Sequence, residues 1–194
     1  MPWWFWVLVA VIVLGAYIAS TSNRLDRLHA RLDATRAALD AQLLRRSAVT
    51  LEIAASGFLD PATSVLLAGA AHEARAVGAD AREVDESELS AALRAAFDEP
   101  DAAATLAADM AGAELLEELE AAATKVPLGR RFYNDAVRAN LALRKHRVVR
   151  WLHLAGRVPT PTFFEMDDEP PAHLVADRTA ADNAAAGSRP PDVD

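Results

Sequence analysis

The chain contains no cysteine. That excludes a disulfide framework, a thiolate metal site and a lipid-modified cysteine, and it leaves the redox compartment open. Aromatic residues make up only 6% of the chain, and after residue 20 they are scarce while alanine dominates. This favours helices over strands, because strands draw on β-branched and aromatic side chains. The eight glycines form neither a phosphate-cradling loop nor a dinucleotide fingerprint, and no G-x-S-x-G elbow presents a nucleophile.

Charge is missing altogether from Met1 to Asn23. As a helix, the apolar stretch Trp3 to Ala19 spans ~26 Å, close to a ~30 Å hydrocarbon core, so residues 1–23 are expected to form an N-terminal transmembrane anchor. A cleaved signal needs a positive start and small residues at the cut, whereas this segment opens Met1-Pro2-Trp3-Trp4 and offers Tyr17 and Ile18 near any such site. Trp3, Trp4 and Trp6 suit one membrane interface and Tyr17 the other. Nothing basic precedes the segment, and Arg24, Arg27, Arg31 and Arg36 follow it. The positive-inside rule therefore predicts a single-pass protein of the cell membrane, N-terminus outside and C-terminal domain in the cytoplasm.

The net charge is -8 and the pI about 5.1, which argues against a general nucleic-acid binder, since phosphate affinity needs a dominant positive footprint. The charge is segmented. Residues 57–128 carry four basic against fifteen acidic side chains, 129–157 eight against one, and 158–194 two against eight.

Leu25, Leu28, Leu32, Leu39, Leu43, Val49 and Ile53 form one apolar stripe, predicting a helix that runs to about Ser56. Thr35, Gln42 and Arg46 interrupt a strict heptad, which suits a bundle better than a long coiled coil. Gly57 ends that helix, and Asp60-Pro61 caps a second running to about Val77. The acidic run Asp80 to Glu86 reads as a loop before a short third helix marked by Leu89, Leu93 and Phe97, with Ser87 or Asp85 as its cap. A long fourth helix carries Leu106 through Leu152, and Pro127 is expected to kink or break it. The domain organisation is an anchor over 1–23, an all-α bundle over 24–157, and an acidic Pro/Ala/Asp-rich tail over 158–194 with too little apolar content for a core.

Metal chemistry finds little support. Two Glu-x-x-His motifs would be needed for a di-iron bundle, but the residues three before the histidines are Asp26, Gly69, Leu143, Arg150 and Pro170. His72-Glu73 opens a zinc-protease motif whose second histidine position holds Ala76. Glu114, Glu117, Glu118 and Glu120 read as a solvated helix face in place of paired acid-base carboxylates. Phe132-Tyr133-Asn134 reads as core packing with a polar tip on Tyr133, against the alternative of a recognition surface.

Several stretches resemble the LemA family of bacterial membrane-anchored helical proteins. They are Leu39-Asp-Ala-Gln42-Leu-Leu-Arg45-Arg46, Ala71-His72-Glu73, Ser87-Glu-Leu89-Ser90-Ala-Ala-Leu93, Glu117-Glu118-Leu119-Glu120, Gly129-Arg130-Arg131-Phe132-Tyr133-Asn134-Asp135-Ala136-Val137, and Phe163-Phe164-Glu165. The chain departs from the family's pattern at Ser47 to Glu52, at Pro127-Leu128-Gly129 and in a shortened acidic loop around Asp98. The resemblance implies a membrane helix followed by an antiparallel four-helix bundle, no catalytic residues, and a membrane metalloprotease as one kind of partner.

Together these features predict a non-enzymatic, membrane-anchored scaffold or interaction protein with no cofactor and no metal. Its expected partners are the lipid bilayer and another membrane or envelope protein, with a homo-oligomer left open and nucleic acid excluded. The alternative is a peripheral membrane-shaping protein whose basic last helix, over 138–157, binds anionic lipid. The candidate membrane-interface residues are Trp3, Trp4, Trp6, Arg144, Lys145, Arg147, Arg150 and Trp151.

Overall fold

The computed structural model describes residues 2–76, 82–98, 100–145, 159–172 and 174. Among the described residues, the alanine-rich, strand-poor composition folds into five helices of eight residues or more. They are α1 (Trp3–Ala55), α2 (Pro61–Ala76), α3 (Arg82–Phe97), α4 (Pro100–Ala107) and α5 (Met110–Arg144). Among the described residues there is no strand.

Local chemistry sets the helix ends. Gly57 takes φ 78° after α1, in the left-handed region where glycine carries no steric penalty. Asp60 caps α2, its Oδ1 accepting from the backbone N–H of Ala62 at 2.9 Å and Thr63 at 3.1 Å, with Pro61 at the first helical position. α3 begins earlier than the sequence suggests. Glu83 and Asp85 lie in its first turn, where carboxylates are favoured by the exposed N–H groups and the helix dipole. Ser87 is no cap, since its Oγ donates to the Glu83 carbonyl at 2.6 Å.

The long fourth helix divides at residues 108–109. Asp109 caps α5 by accepting from Ala111 N–H at 2.9 Å, so Leu106 belongs to α4 and Met110 to Arg144 to α5. Pro127 does not end α5. The preceding turn is held by buried Ala122, Ala123 and Val126, and this packing outweighs one missing backbone donor.

The chain divides into two compact units. The first comprises residues 1–38 with 131–164, and buries Leu25 against Leu143 with Leu28 packed on them. The second comprises residues 39–130 with 165–194. In its core, Val49 and Ile53 of α1, Leu67 and Ala71 of α2, Leu89, Leu93 and Phe97 of α3, Leu106 of α4 and Leu119 of α5 are buried together with Leu174. α3 packs against both α2 and α4.

The membrane anchor is corrected here. Among the described residues, no helix is long and apolar enough to cross a membrane. Trp3 to Ala19 is seventeen residues, at the bottom of the length range for a span, and three Trp and a Tyr among them dilute its hydropathy. The single-pass topology, the outside N-terminus and the cytoplasmic C-terminal domain fall with it.

The corner between α4 and α5 depends on Gly112. A Cβ there would lie 2.3 Å from the Leu106 carbonyl oxygen, which is backbone and cannot swing aside. Gly112→Ala is expected to cost about 1–3 kcal/mol through forced backbone shifts, measured as a fall in the urea midpoint. An unchanged midpoint would mean that the corner is looser than this geometry.

Candidate functional site

Two arrangements of polar side chains stand out, and both grow from residues that break the apolar patterns. The first is in the second unit. On α1, Leu43, Arg46, Val49, Thr50 and Ile53 are buried on one face, so an arginine occupies a core position of the stripe. On α3 the inward face is Glu86, Leu89, Ser90, Leu93 and Phe97, with Glu86 and Ser90 one turn apart. The Arg46 guanidinium donates to Glu86 Oε2 at 2.7 Å, to the Glu86 carbonyl at 3.0 Å and to Ser90 Oγ at 2.9 Å. Ser90 Oγ in turn donates a hydrogen bond to the Glu86 carbonyl at 3.0 Å.

This pair is almost dry: the side chains of Arg46 and Glu86 are 4% and 1% exposed. Burial pushes the Glu86 carboxyl above the ordinary carboxylate range, against the opposing pull of the Arg46 charge and hydrogen bond and of Arg82. Arg82 lies 3.9 Å from Glu86 and donates to Asp40 at 3.1 Å. Arg46 Nε has no hydrogen-bond partner. Beside it lies a cavity of about 10 Å³ lined by Arg46, Ser90, Leu93, Ala123 and residues 168–171, about the smallest volume that holds one water.

The second arrangement is an extended strap, residues 159–171, drawn from the segment that composition assigns to a tail. In the first unit, Tyr133 is buried and its hydroxyl donates to the Thr162 carbonyl at 3.0 Å. Asn134 reads the backbone of Phe164 on both sides, donating to its carbonyl at 3.1 Å and accepting from its N–H at 2.9 Å. The Arg138 guanidinium sits 5.9 Å from the Phe163 ring centroid, within cation–π range.

In the second unit, Glu83 Oε1 accepts from Glu165 N–H at 2.9 Å, and Ser87 Oγ accepts from Asp167 N–H at 3.0 Å. Arg94 grips the Asp167 carboxylate with both terminal nitrogens and donates to the Glu169 carbonyl at 2.8 Å. Arg130 binds Asp168 by Nε at 2.6 Å and Nη2 at 3.0 Å. These paired contacts have the geometry in which arginine recognises carboxylates best. The hydrogen bond from Arg94 is the main reason that the Asp167 carboxyl lies below the ordinary range.

The two shifts give opposite pH slopes. Asp167, lowered from 3.8, contributes stability that is present above that value and lost as pH falls through its lower folded value. Glu86, raised from 4.5, binds its proton more tightly in the folded chain, so its contribution falls as pH rises from 4.5 through its folded value. Asp167→Asn is expected to flatten the acid limb of stability against pH, and Glu86→Gln the slope above 4.5. Urea midpoints taken across pH test both, and unchanged limbs would refute the assignments.

The membrane-interface residues are dispersed. Trp3, Trp4 and Trp6 are 78%, 58% and 63% exposed at the start of α1. Arg144 ends α5, its Nη1 lying 3.4 Å from Thr160 Oγ1, and Lys145 is exposed in the turn that follows. Because Leu143 packs on Leu25, this basic end lies roughly 30 Å along α1 from the tryptophans. Arg147, Arg150 and Trp151 lie outside the described residues, as does most of the 138–157 segment. Glu114 and Glu117 are exposed, while Glu118 pairs with Arg45.

Sequence reading missed Glu86, Arg94, Asp167 and Asp168, and it singled out Ser87 only as a helix cap and Asn134 only within an aromatic segment. One signal was available, since Arg46 interrupts the apolar stripe at a core position. Among the described residues, no group of three or more metal-ligating side chains gathers. Comparison with family models, with characterised proteins and with solved structures finds no match to this chain.

Proposed function

We propose that the chain is a non-enzymatic helical scaffold that binds another protein, built as an antiparallel four-helix bundle similar to the LemA family and carrying no cofactor. One observation carries this reading. The uncharged start of α1 leaves Trp3, Trp4, Trp6, Val7, Leu8, Val11, Ile12, Val13 and Tyr17 at least half exposed. A contiguous apolar surface of that kind marks an interaction site, because leaving it in water forfeits about 25 cal/mol per Å². Tryptophan and tyrosine are also the residues enriched in the anchor positions of protein interfaces. The buried polar residues offer little support for an active site: Glu86 and Arg46 are paired to each other, and the cavity beside them is only about 10 Å³.

The test places a photo-crosslinking amino acid at Trp6 or Val11 of the full chain in cells. A discrete adduct with one protein, lost when Trp3 and Trp4 are changed to Ser, supports the scaffold. Adducts with lipid alone favour the lipid-binding alternative and refute protein binding by this segment. Adducts only between copies of the chain replace the heterologous partner with self-association. No adduct at all refutes an interaction surface here.

A further inference from the structure

We propose that Arg94 and Arg130, with Glu83 and Ser87, form a receptor for an extended acidic peptide of a partner protein, and that residues 165–171 are a tethered pseudo-ligand occupying it. This deepens the scaffold reading and rests on it, naming a second site and the chemistry of what binds there.

The contacts are those of a peptide on a receptor. Residues 165–171 form no helix or strand, and their hydrogen bonds to the helices run through receptor side chains. The Glu165 and Asp167 N–H groups go to Glu83 and Ser87, and the Glu169 carbonyl goes to Arg94. Backbone read in this way is blind to which chain supplies it. Selectivity comes from Asp167 on Arg94 and Asp168 on Arg130, each held by two nitrogens. Two successive carboxylates on two arginine forks therefore define the ligand: an extended segment with adjacent acidic residues.

The occupant is also displaceable. Glu165, Asp167 and Glu169 are exposed and Asp168 is only partly buried, so within 165–171 Pro171 alone is buried. The contacts to be exchanged are mostly ion pairs and hydrogen bonds that a competing acidic segment reproduces. Release would uncover Arg94 and Arg130, and would open the cavity above Arg46 and Ser90, whose lid is residues 168–171. Arg46, which also lines that cavity, keeps one nitrogen, Nε, without a hydrogen-bond partner. A tethered ligand acts at an effective concentration on the order of millimolar, so the strap sets a threshold that only a well-matched or locally concentrated partner passes.

The experiment titrates a fluorescein-labelled peptide of sequence Glu165 to Leu174 into full-length protein and follows fluorescence anisotropy. Wild type is expected to bind at least tenfold more weakly than Asp167→Ala/Asp168→Ala, whose own strap has lost its carboxylates. Adding Arg94→Glu/Arg130→Glu to that variant should abolish binding, and a peptide carrying Lys at both aspartate positions should restore it. That rescue separates loss of recognition from loss of folding. Equal binding by wild type and the strap variant, or no binding to the strap variant, overturns the proposal. So does a concentration-dependent dimer of wild type that disappears with Asp167→Ala/Asp168→Ala, because the occupant is then a second copy. Trp3→Ser/Trp4→Ser/Trp6→Ser should leave the titration unchanged, so this site and the apolar segment of α1 fail or succeed separately.

Discussion

Replacing Glu86 with alanine is expected to destabilise the protein by about 3–5 kcal/mol, the range for removing one partner of a buried ion pair. The cause lies with what stays behind. Arg46 is 4% exposed, cannot lose its proton, and would keep only its bonds to Ser90 and to the residue-86 carbonyl. Burial raises the Glu86 carboxyl against the pull of Arg46, as expected where the cost of desolvation offsets much of the attraction between the two charges. The pair as a whole is therefore a weak stabiliser, although either half alone is a severe liability. Arg46→Met with Glu86→Leu should consequently recover most of the loss, ending within about 1–2 kcal/mol of wild type or above it. Urea unfolding of wild type, Arg46→Met, Glu86→Leu and the double variant closes a double-mutant cycle. If Glu86→Ala costs under about 1 kcal/mol, or the double variant is as unstable as the single, the pair is solvated and the dry network is wrong.

The parts of the fold legible in the sequence were those written in local periodicity. Leu25, Leu39, Leu43, Val49 and Ile53 fall on the buried face of α1, and Gly57 and Asp60 do at the joint with α2 what their chemistry dictates. The errors share a different cause. Glu83 and Asp85 look like loop residues by composition, yet a helix start is where carboxylates are most favoured, so α3 begins among them. The apolar pattern from Leu106 onward reads as one long helix, whereas Asp109 caps a new one at Met110. Residues 1–23 read as a span because they lack charge and their apolar stretch approaches the bilayer's thickness, whereas no helix among the described residues is long and apolar enough to cross a membrane.

The candidate site was less legible because its partners are far apart in the chain. Arg46 and Glu86 are separated by forty residues, and Arg94 and Asp167 by seventy-three. No spacing rule connects such pairs. Asn134 offers no pattern either: it matters because its amide matches both backbone groups of Phe164, and the sequence shows only an asparagine after two aromatics.

Leu174 shows most sharply what composition conceals, and Leu174→Ala is expected to cost about 2–5 kcal/mol, as for a leucine buried in a core. Among prolines, alanines and aspartates one leucine adds little to average hydropathy, so the stretch from Asp167 onward reads as a tail. Yet Leu174 is 2% exposed and packs in the same cluster as Ile53, Leu67, Leu89 and Phe97. Burial of a side chain depends on where the chain is led, and here Asp167 and Asp168 fix the strap on Arg94 and Arg130 a few residues earlier. Surface ion pairs of that kind contribute little by themselves. Their larger effect is to confine the segment, so that seating Leu174 costs less entropy. The energies should then couple: in Asp167→Ala/Asp168→Ala, removing Leu174 should cost clearly less than in wild type. Leu66→Ala, at a residue 48% exposed, serves as the control and should change stability by no more than about 0.5 kcal/mol. A chain ended at residue 165 should be destabilised at least as much as Leu174→Ala, since it loses the leucine and both aspartates. Calorimetry and urea midpoints read all of these variants. A Leu174→Ala protein as stable as the Leu66→Ala control would take Leu174 out of the core and leave the strap held by its polar contacts alone.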